Sequence, residues 1–492
     1  MPSCDAIIIG AGVNGLACAR RLAGKGLRVV VVEAGAVPGG GAGSVEFHPG
    51  FTAPALAHLT QGLDPRLASV APVAFHPPLA TAVIGTAGPL VVEGAQAGGP
   101  DSVTWAALHT RLAGFAQALA PFRRMPPPRL AKGNDWAPMM RPLWGMRGLG
   151  REELRELMRM ILINVHDVGE DELTDDRLRG LLSFDATLGA WLGPRSPNSL
   201  ILYLDRLARG PAPLLPKGGM GALVTSLAQG LDIRCGARVE KVLIAGDRAV
   251  GVRLVSGEDL NAPRVISAIN PRTTFHTLVG ARELDAGFYT SIGHIRLRGG
   301  AAKLHLALDG LPDFGVDPKA RIVLAPSSNA VEDAFTPVKY GEVPARPVME
   351  IILPSAHEPG IAPEGAHVLS AIVQFAPHAP KAGLEAARAQ ILENALRVLE
   401  QAAPGLRARV RHAELLMPQD IEARFGMPGG NWHHGELAVE QMLFNRPLHS
   451  TDRYATPLPG LWLAGAGAHP GGGIEGAAGW NAAERILAEG RA

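Results

Sequence analysis

The sequence predicts an α/β fold in which a parallel sheet is split along the chain by an inserted α+β domain. Three observations predict it. Residues 5–34, DAIIIGAGVNGLACARRLAGKGLRVVVVEA, run strand, glycine turn, helix and strand without interruption. Residues 461–487 repeat strand, glycine loop and helix near the other end. Between them, residues 301–376 contain alternating runs such as KLHLAL, MEIILP and VLSAIVQF that read as strands of a second sheet.

In the first unit the β-branched apolar run 6–9 stops at Gly10, where the backbone turns sharply. Gly12 leaves room for a pyrophosphate to approach the chain, and Gly15 lets the following helix lie close to the strand. Leu16, Ala19, Leu22 and Ala23 recur at helical spacing, so the amides opening that helix aim their dipole at phosphates. Ala11 and Asn14 complete this predicted cradle. The second strand, 28–32, ends at Glu33 and Ala34, where a carboxylate accepts hydrogen bonds from a ribose diol and repels a 2′-phosphate. That disfavours NADP at this site. A glycine fingerprint alone is weak, and the strength here lies in both strands, the helix and Glu33 standing in register.

Composition bounds the rest. A chain of 492 residues, 47% hydrophobic, buries large cores and is long enough for two or three domains. Its formal net charge of +1 and its lack of a basic block argue against a nucleic acid partner. No apolar run approaches the roughly eighteen residues of a membrane span, and the N-terminus shows no cationic-then-apolar leader, so the expectation is a cytoplasmic, unprocessed protein. Cys4, Cys18 and Cys235 are too dispersed for a CxxC-type redox pair, and no zinc-peptidase, nucleophile-elbow or Walker pattern is present. No metal site is expected. Redox chemistry leads the remaining classes.

Further along, VPGGGAGSVEFHPGF brings Gly39, Gly40 and Gly41, whose backbone amides can face a pyrophosphate. Residues 105–122, 151–165 and 175–188 read as helices, with a proline-rich break at 125–129. Trp136, Met139, Met140, Trp144, Met146, Arg147 and Met158 crowd the stretch between 123 and 160. Two readings stay open for it: peripheral contact with a bilayer surface, or a domain core with exposed arginines. From Leu214, the segment PKGGMGAL opens a helix, and short strands follow at 233–235, 239–244, 251–255 and 264–268. Residues 382–403 read as a helix covering the second sheet.

The C-terminal unit is a strand at 461–464, the loop GAGAHPGGG and a helix predicted over 474–487. Gly465, Ala466 and Gly473 in the loop, with Ile474, Glu475 and Gly476 at the predicted helix start, offer amides and a positive dipole to the other end of the same cofactor.

These segments together resemble the phytoene dehydrogenase-related FAD oxidoreductases, whose cofactor domain looks like that of flavin amine oxidases. FDATLGAWLGPRSPNSL, GGNWHHGEL and QMLFNRP are similar to a branch named after pyridine nucleotide-disulfide oxidoreductases. The resemblance spans nearly the whole chain. It implies FAD as cofactor, a Rossmann-like FAD-binding domain of the glutathione reductase and amine oxidase type, and an inserted α+β substrate domain. It also implies that the strand backbone at Val239 clamps the adenine. The expected boundaries are 1–75, 214–285 and 440–492 for the FAD domain, with 76–213 and 286–439 for the substrate domain. Three departures stand out: Gly41 occupies a position often basic, 50–54 lacks the acid common in carotenoid desaturases, and IEGA at 474–477 looks like the amine oxidase version. The disulfide in the branch name is not literal here, because the cysteine pair is missing.

The implied reaction is hydride transfer from an apolar or amphipathic small molecule to flavin, where substrate placement contributes more than acid–base groups. A base is needed only for the second proton. Glu475, His469 and His434 are the candidates, with His433 beside them, and each also reads as a capping, loop or turn residue. No second dinucleotide fingerprint appears, which leaves oxygen, a quinone or another carrier as electron acceptor. The alternatives are a flavin amine oxidase producing peroxide, for which Trp462 and Trp480 are the nearest aromatic pair, and a non-catalytic FAD-carrying interaction protein.

Overall fold

The computed structural model describes residues 4–127, 146, 148–451 and 453–489. Trp136, Met139, Met140, Trp144 and Arg147, on which the bilayer reading depends, lie outside the described residues. Among the described residues no helix is long and apolar enough to cross a membrane.

Ala6–Ile9 and Val29–Val32 are buried along their full length, as continuous apolar strands covered on both faces must be. They pair in parallel, with Ile7 opposite Val30, and form the centre of a five-stranded sheet. Its order is Leu461–Leu463, Val265–Ser267, Ala6–Ile9, Val29–Val32, Asp232–Arg234. Three distant stretches of chain therefore meet in one sheet. Val13–Ala23, the helix between the first two strands, is pressed against its own turn: a Cβ at Gly15 would stand 2.1 Å from the Gly10 carbonyl oxygen. The last helix, Ala477–Glu489, lies on the first just as closely, since a Cβ at Gly479 would meet Asn14 O at 1.8 Å.

An antiparallel trio, Val239–Ala245, Arg248–Leu254 and Asp259–Asn261, follows the Gly219–Ala228 helix. The second large sheet has eight strands, in the order Val410–Leu416, Ala301–Asp309, Ala366–Gln374, Val348–Ile352, Arg321–Leu324, Thr81–Gly85, Gly88–Glu93, Gln96–Ala97. Its two faces differ chemically. Leu304, Leu306, Met349, Ile351, Leu369 and Ala371 point to the side covered by the Leu384–Ala402 helix, where Ile391 and Leu399 complete an apolar core. Alternation then sends Lys303, Glu350, Ser370 and Ile372 to the opposite face, toward the first sheet.

Two expectations are corrected. The helix predicted from Ile474 starts at Ala477, because Gly471, Gly472, Gly473 and Gly476 all have φ between +65° and +80°, outside the helical region. Ile474, Glu475 and Gly476 thus belong to the loop. The helix predicted over 151–165 is two, Gly150–Leu162 and Val165–Glu172, separated where Asn164 caps the second by accepting Asp167 N at 2.8 Å.

Gly15→Ala tests the helix–strand contact: the apoprotein is expected to lose about 1–3 kcal/mol. A urea midpoint equal to that of the native chain would show that the helix is free to move away.

Candidate active site

A cavity of about 960 Å³ opens between the two large sheets. One end is the cradle. Gly10, Gly12, Asn14, Glu33, Ala34, Gly39, Gly40, Gly41 and Val239 line it, together with Ala466, Gly473 and Ile474 from the C-terminal loop. Glu33 organises this end. Its Oε2 accepts Ala11 N and its Oε1 accepts Gly35 N, both at 2.7 Å, while the Ala11 carbonyl accepts Gly39 N at 2.9 Å. A carboxylate has about four lone-pair sites, so two remain for a ribose diol. Gly12 has φ −68°, and a Cβ built there meets nothing within 4 Å. The space a side chain would fill is open cradle, and it fits a pyrophosphate.

Other predicted residues lie elsewhere. Ala11 is fully buried and acts through its backbone. Gly15, Gly465 and Gly476 are packing glycines: a Cβ at Gly465 would stand 2.5 Å from Ala268 O, and one at Gly476 would strike Leu67. Glu475 is not on the cavity lining. Its carboxylate, only 9% exposed, pairs with the buried Arg123, which also pairs with Asp205, and Asp205 in turn holds Arg209. His469 is also absent from the lining, with Nε2 bonded to Phe122 O at 2.8 Å and burial pushing its pKa down to about 4. His434 does line the cavity, and burial pushes it down to about 4 as well.

The far wall comes from residues the motifs did not flag. His58 Nε2 donates to Glu350 Oε1 at 2.9 Å, so its Nδ1 is the acceptor for Lys303 Nζ, also at 2.9 Å. Arg321 pairs with both Glu350 and Asp185, and Arg206 stands 3.6 Å from Asp185. His58, Glu350, Asp185 and Arg206 reach the cavity beside Leu188, Leu202 and Ile372. Arg321 and Glu350 offset one another's burial, and the arginine holds the Glu350 carboxyl well below the ordinary carboxylate range despite desolvation. Lys303 lacks such a direct partner, and burial lowers it to about 7. The other missed residue is Arg446, 2% exposed, which donates to the carbonyls of His433 at 2.6 Å and Ala466 at 2.9 Å. It ties GGNWHHGEL to the C-terminal glycine loop. Polar residues inside largely apolar strands, Lys303, Glu350 and Ser370, are the sequence signal that would have found the wall.

A nucleotide cradle on a parallel sheet, opening into a chamber roofed by a second sheet, is the arrangement of a flavoprotein oxidoreductase. The chain matches the family described as "Flavin containing amine oxidoreductase" over residues 14–487 and belongs to it. It is 29% identical to pyridine nucleotide-disulfide oxidoreductase domain-containing protein 2 of Rattus norvegicus, over 99% of this chain and 94% of the relative. Identity to a neurosporene-forming phytoene desaturase of Cereibacter sphaeroides is 27%, covering 96% and 92%. In fold it is similar to cyclohexylamine oxidase from Brevibacterium oxydans IH-35A, with TM-score 0.62, 16% identity and full coverage of both chains. It is an FAD-dependent oxidoreductase.

Two outcomes follow from this geometry. Gly12→Val is expected to leave the urea midpoint of the apoprotein unchanged while weakening FAD binding at least roughly tenfold, read by fluorescence titration; undiminished affinity would mean the pyrophosphate lies elsewhere. Lys303 titrates near 7 when folded, against an ordinary 10.5, so between those values the unfolded chain binds the extra proton and stability rises with pH. Lys303→Met removes that dependence. Its stability relative to the native chain should be highest below pH 7 and fall as pH approaches 10.5; a difference that stays flat in a pH series of urea melts would refute a buried, depressed amine.

Proposed function

We propose that the enzyme dehydrogenates a small molecule with an apolar or amphipathic body, in the manner of a desaturase, by hydride transfer from a C–H bond to FAD. The observation that carries this reading is the composition of the chamber beyond the cradle. Leu188, Leu202, Ile372 and Leu437 supply apolar wall, and the acids there, Asp185 and Glu350, are already paired with Arg321. Such a wall holds an apolar body and has little unspent negative charge to attract an ammonium group.

FAD, when bound, supplies the electron acceptor. We assign the cradle to Gly10, Ala11, Gly12, Asn14, Gly15, Glu33, Ala34, Gly39, Gly40, Gly41 and Val239, and its second loop to Gly465, Ala466, Gly473, Ile474, Glu475 and Gly476. Glu33 takes the ribose, and the amides of the glycine turns take the pyrophosphate. Ala11, Gly15, Gly465, Glu475 and Gly476 act by holding backbone in place. His434 is the proposed acceptor for the second proton, since burial keeps it neutral at pH 7. Glu475 and His469 position the loop through Arg123 and Phe122 O. The FAD-binding unit is proposed to comprise 1–75, 214–285 and 440–492, and the substrate unit 76–213 and 286–439. Oxygen, a quinone or another carrier reoxidises the flavin, and contact with a bilayer surface through the 123–160 stretch would give access to a quinone.

An amine oxidase reading has the family description in its favour, but Trp462 and Trp480 do not reach the cavity; Trp480 is buried beside Arg21. The test is anaerobic mixing of the yellow holoenzyme with a polyene panel and an amine panel. Bleaching of the flavin band by a polyene or an amphipathic alkane-chain compound is expected. Bleaching by amines alone, with peroxide released on admitting air, would overturn the proposal.

A further inference from the structure

A second cavity, of about 310 Å³, shares Gln61, Asp185 and Arg206 with the lining of the first. The Leu200–Arg209 helix separates the two. At about 100° per residue, Leu202, Asp205 and Arg209 fall on one face and line the larger cavity, while Tyr203 and Leu207 fall on another and line the smaller. Arg206 stands between those faces and reaches both.

The polar groups at this boundary are unengaged. Tyr203 and His109 line the smaller cavity, each is more than nine-tenths buried, and neither has a hydrogen-bond partner among the described residues. They are not sealed in protein: Tyr203 Oη and both His109 ring nitrogens keep accessible surface. Arg206 has five N–H donors, yet among the described residues it makes one ion pair, to Asp185 at 3.6 Å, beyond hydrogen-bond range. Both oxygens of Asp185 are already taken by Arg321. Arg206 is therefore free to turn toward a ligand without leaving Asp185 unpaired.

Donors outnumber acceptors here, so the complementary group is an acceptor. Charge narrows it further. Arg321 and Arg206 together balance Asp185 and Glu350, so a carboxylate would leave an excess negative charge in a buried site, and an ammonium would find both acids already paired. An uncharged oxygen takes the donors and keeps the balance.

We propose that the smaller cavity binds an uncharged oxygen acceptor, a hydroxyl or carbonyl, with Arg206 and the Tyr203 hydroxyl as its donors, and that the apolar body carrying that oxygen extends into the larger cavity. Arg206 and Tyr203 are three positions apart on one helix and so are neighbours on its surface. The oxygen-bearing end of an amphipathic substrate and a quinone carbonyl share this chemistry, and the experiment separates them. The inference deepens the substrate reading and rests on it, but it is read by binding. Bleaching by amines alone would refute that reading and leave the affinities below measurable, whereas polyene bleaching with no advantage for an oxygen would refute this inference alone.

The test measures dissociation constants on the FAD-loaded protein by equilibrium dialysis, for a medium-chain primary alcohol, the methyl ketone, the carboxylate and the alkane of equal length, with a short-chain benzoquinone as a separate arm. Alcohol and ketone are expected to bind roughly tenfold more tightly than the alkane. Tyr203→Phe removes a hydroxyl that no protein group uses, so its urea midpoint stays native while the advantage of the oxygen falls roughly threefold. Arg206→Leu abolishes the advantage. Should Arg206→Leu fail to fold, Tyr203→Phe still decides. Benzoquinone binding that weakens in the variants, with alcohol and ketone no tighter than alkane, supports the site and assigns it to an electron carrier. Equal binding of alcohol, ketone and alkane together with no quinone binding overturns the proposal, as does a preference for the carboxylate or an oxygen advantage that Tyr203→Phe leaves untouched.

Discussion

One carboxylate holds the cradle together. Glu33 takes the amide of Ala11, and the carbonyl of the same residue takes the amide of Gly39, so the first glycine turn, the end of the second strand and the second glycine loop are fixed to one another by two backbone groups of one buried residue. The chain continues the knot: Glu33 O accepts Ala237 N at 2.8 Å and Gly35 O accepts Gly236 N at 2.8 Å, which brings Val239 alongside. A ribose diol binding to Glu33, as proposed, would meet an acceptor whose geometry is set before the ligand arrives, and little ordering cost would remain.

The far end of the cavity has no such local knot and is assembled by buried ions. Arg123, at the end of the Ser102–Arg123 helix, joins Glu475 in the C-terminal loop to Asp205 in the Leu200–Arg209 helix. Helical and glycine-loop segments 352 residues apart are thus locked by one guanidinium. Burying such a set gains little net stability, but removing any member leaves an uncompensated charge in low dielectric. The arrangement specifies geometry. Glu475 looks like a helix-start acid in the sequence because the positive φ of four glycines, which keeps it in the loop, is not encoded in any apolar period.

That contrast explains what the sequence reveals. Strands, turn, helix and Glu33 fall within thirty-odd consecutive residues, and each glycine answers a local backbone demand, so the cradle is legible. The wall opposite is not, because its partners are far apart: Lys303 and His58 are separated by 245 positions, Glu350 and His58 by 292. Alternation in KLHLAL and MEIILP reveals a sheet and even its two faces, but it does not say that the polar face of one strand will meet that of another. The strands Thr81–Gly85 and Gly88–Glu93, near one end of the sheet, are missed for a related reason. They join the sheet through Arg321–Leu324, some 240 residues on, and nothing local announces the pairing.

Charge distribution along the cavity connects the two ends to the chemistry. On the roof wall Arg321 and Arg206 stand against Glu350 and Asp185, and Lys303 is lowered to about 7, so that wall is close to neutral. Among the described residues, Arg123 and Arg209 around the C-terminal loop pair with Asp205 and Glu475, and Arg446 is solvated by carbonyls with no carboxylate among its hydrogen-bond partners. Among the described residues one positive charge, Arg446, is left over there, held in place by at least four backbone carbonyls. Burial lowers Arg446 only to about 10, so it stays charged at neutral pH. In the proposed reaction a hydride would bring two electrons and one proton, and the surplus negative charge would have to be accommodated beside the bound cofactor. A fixed cation in a dry loop supplies that field without reorganising. In the proposed reading the unbalanced charge lies behind the loop assigned to the flavin's far end and the proposed substrate wall is close to neutral, a division that would suit the oxidation of an uncharged C–H bond.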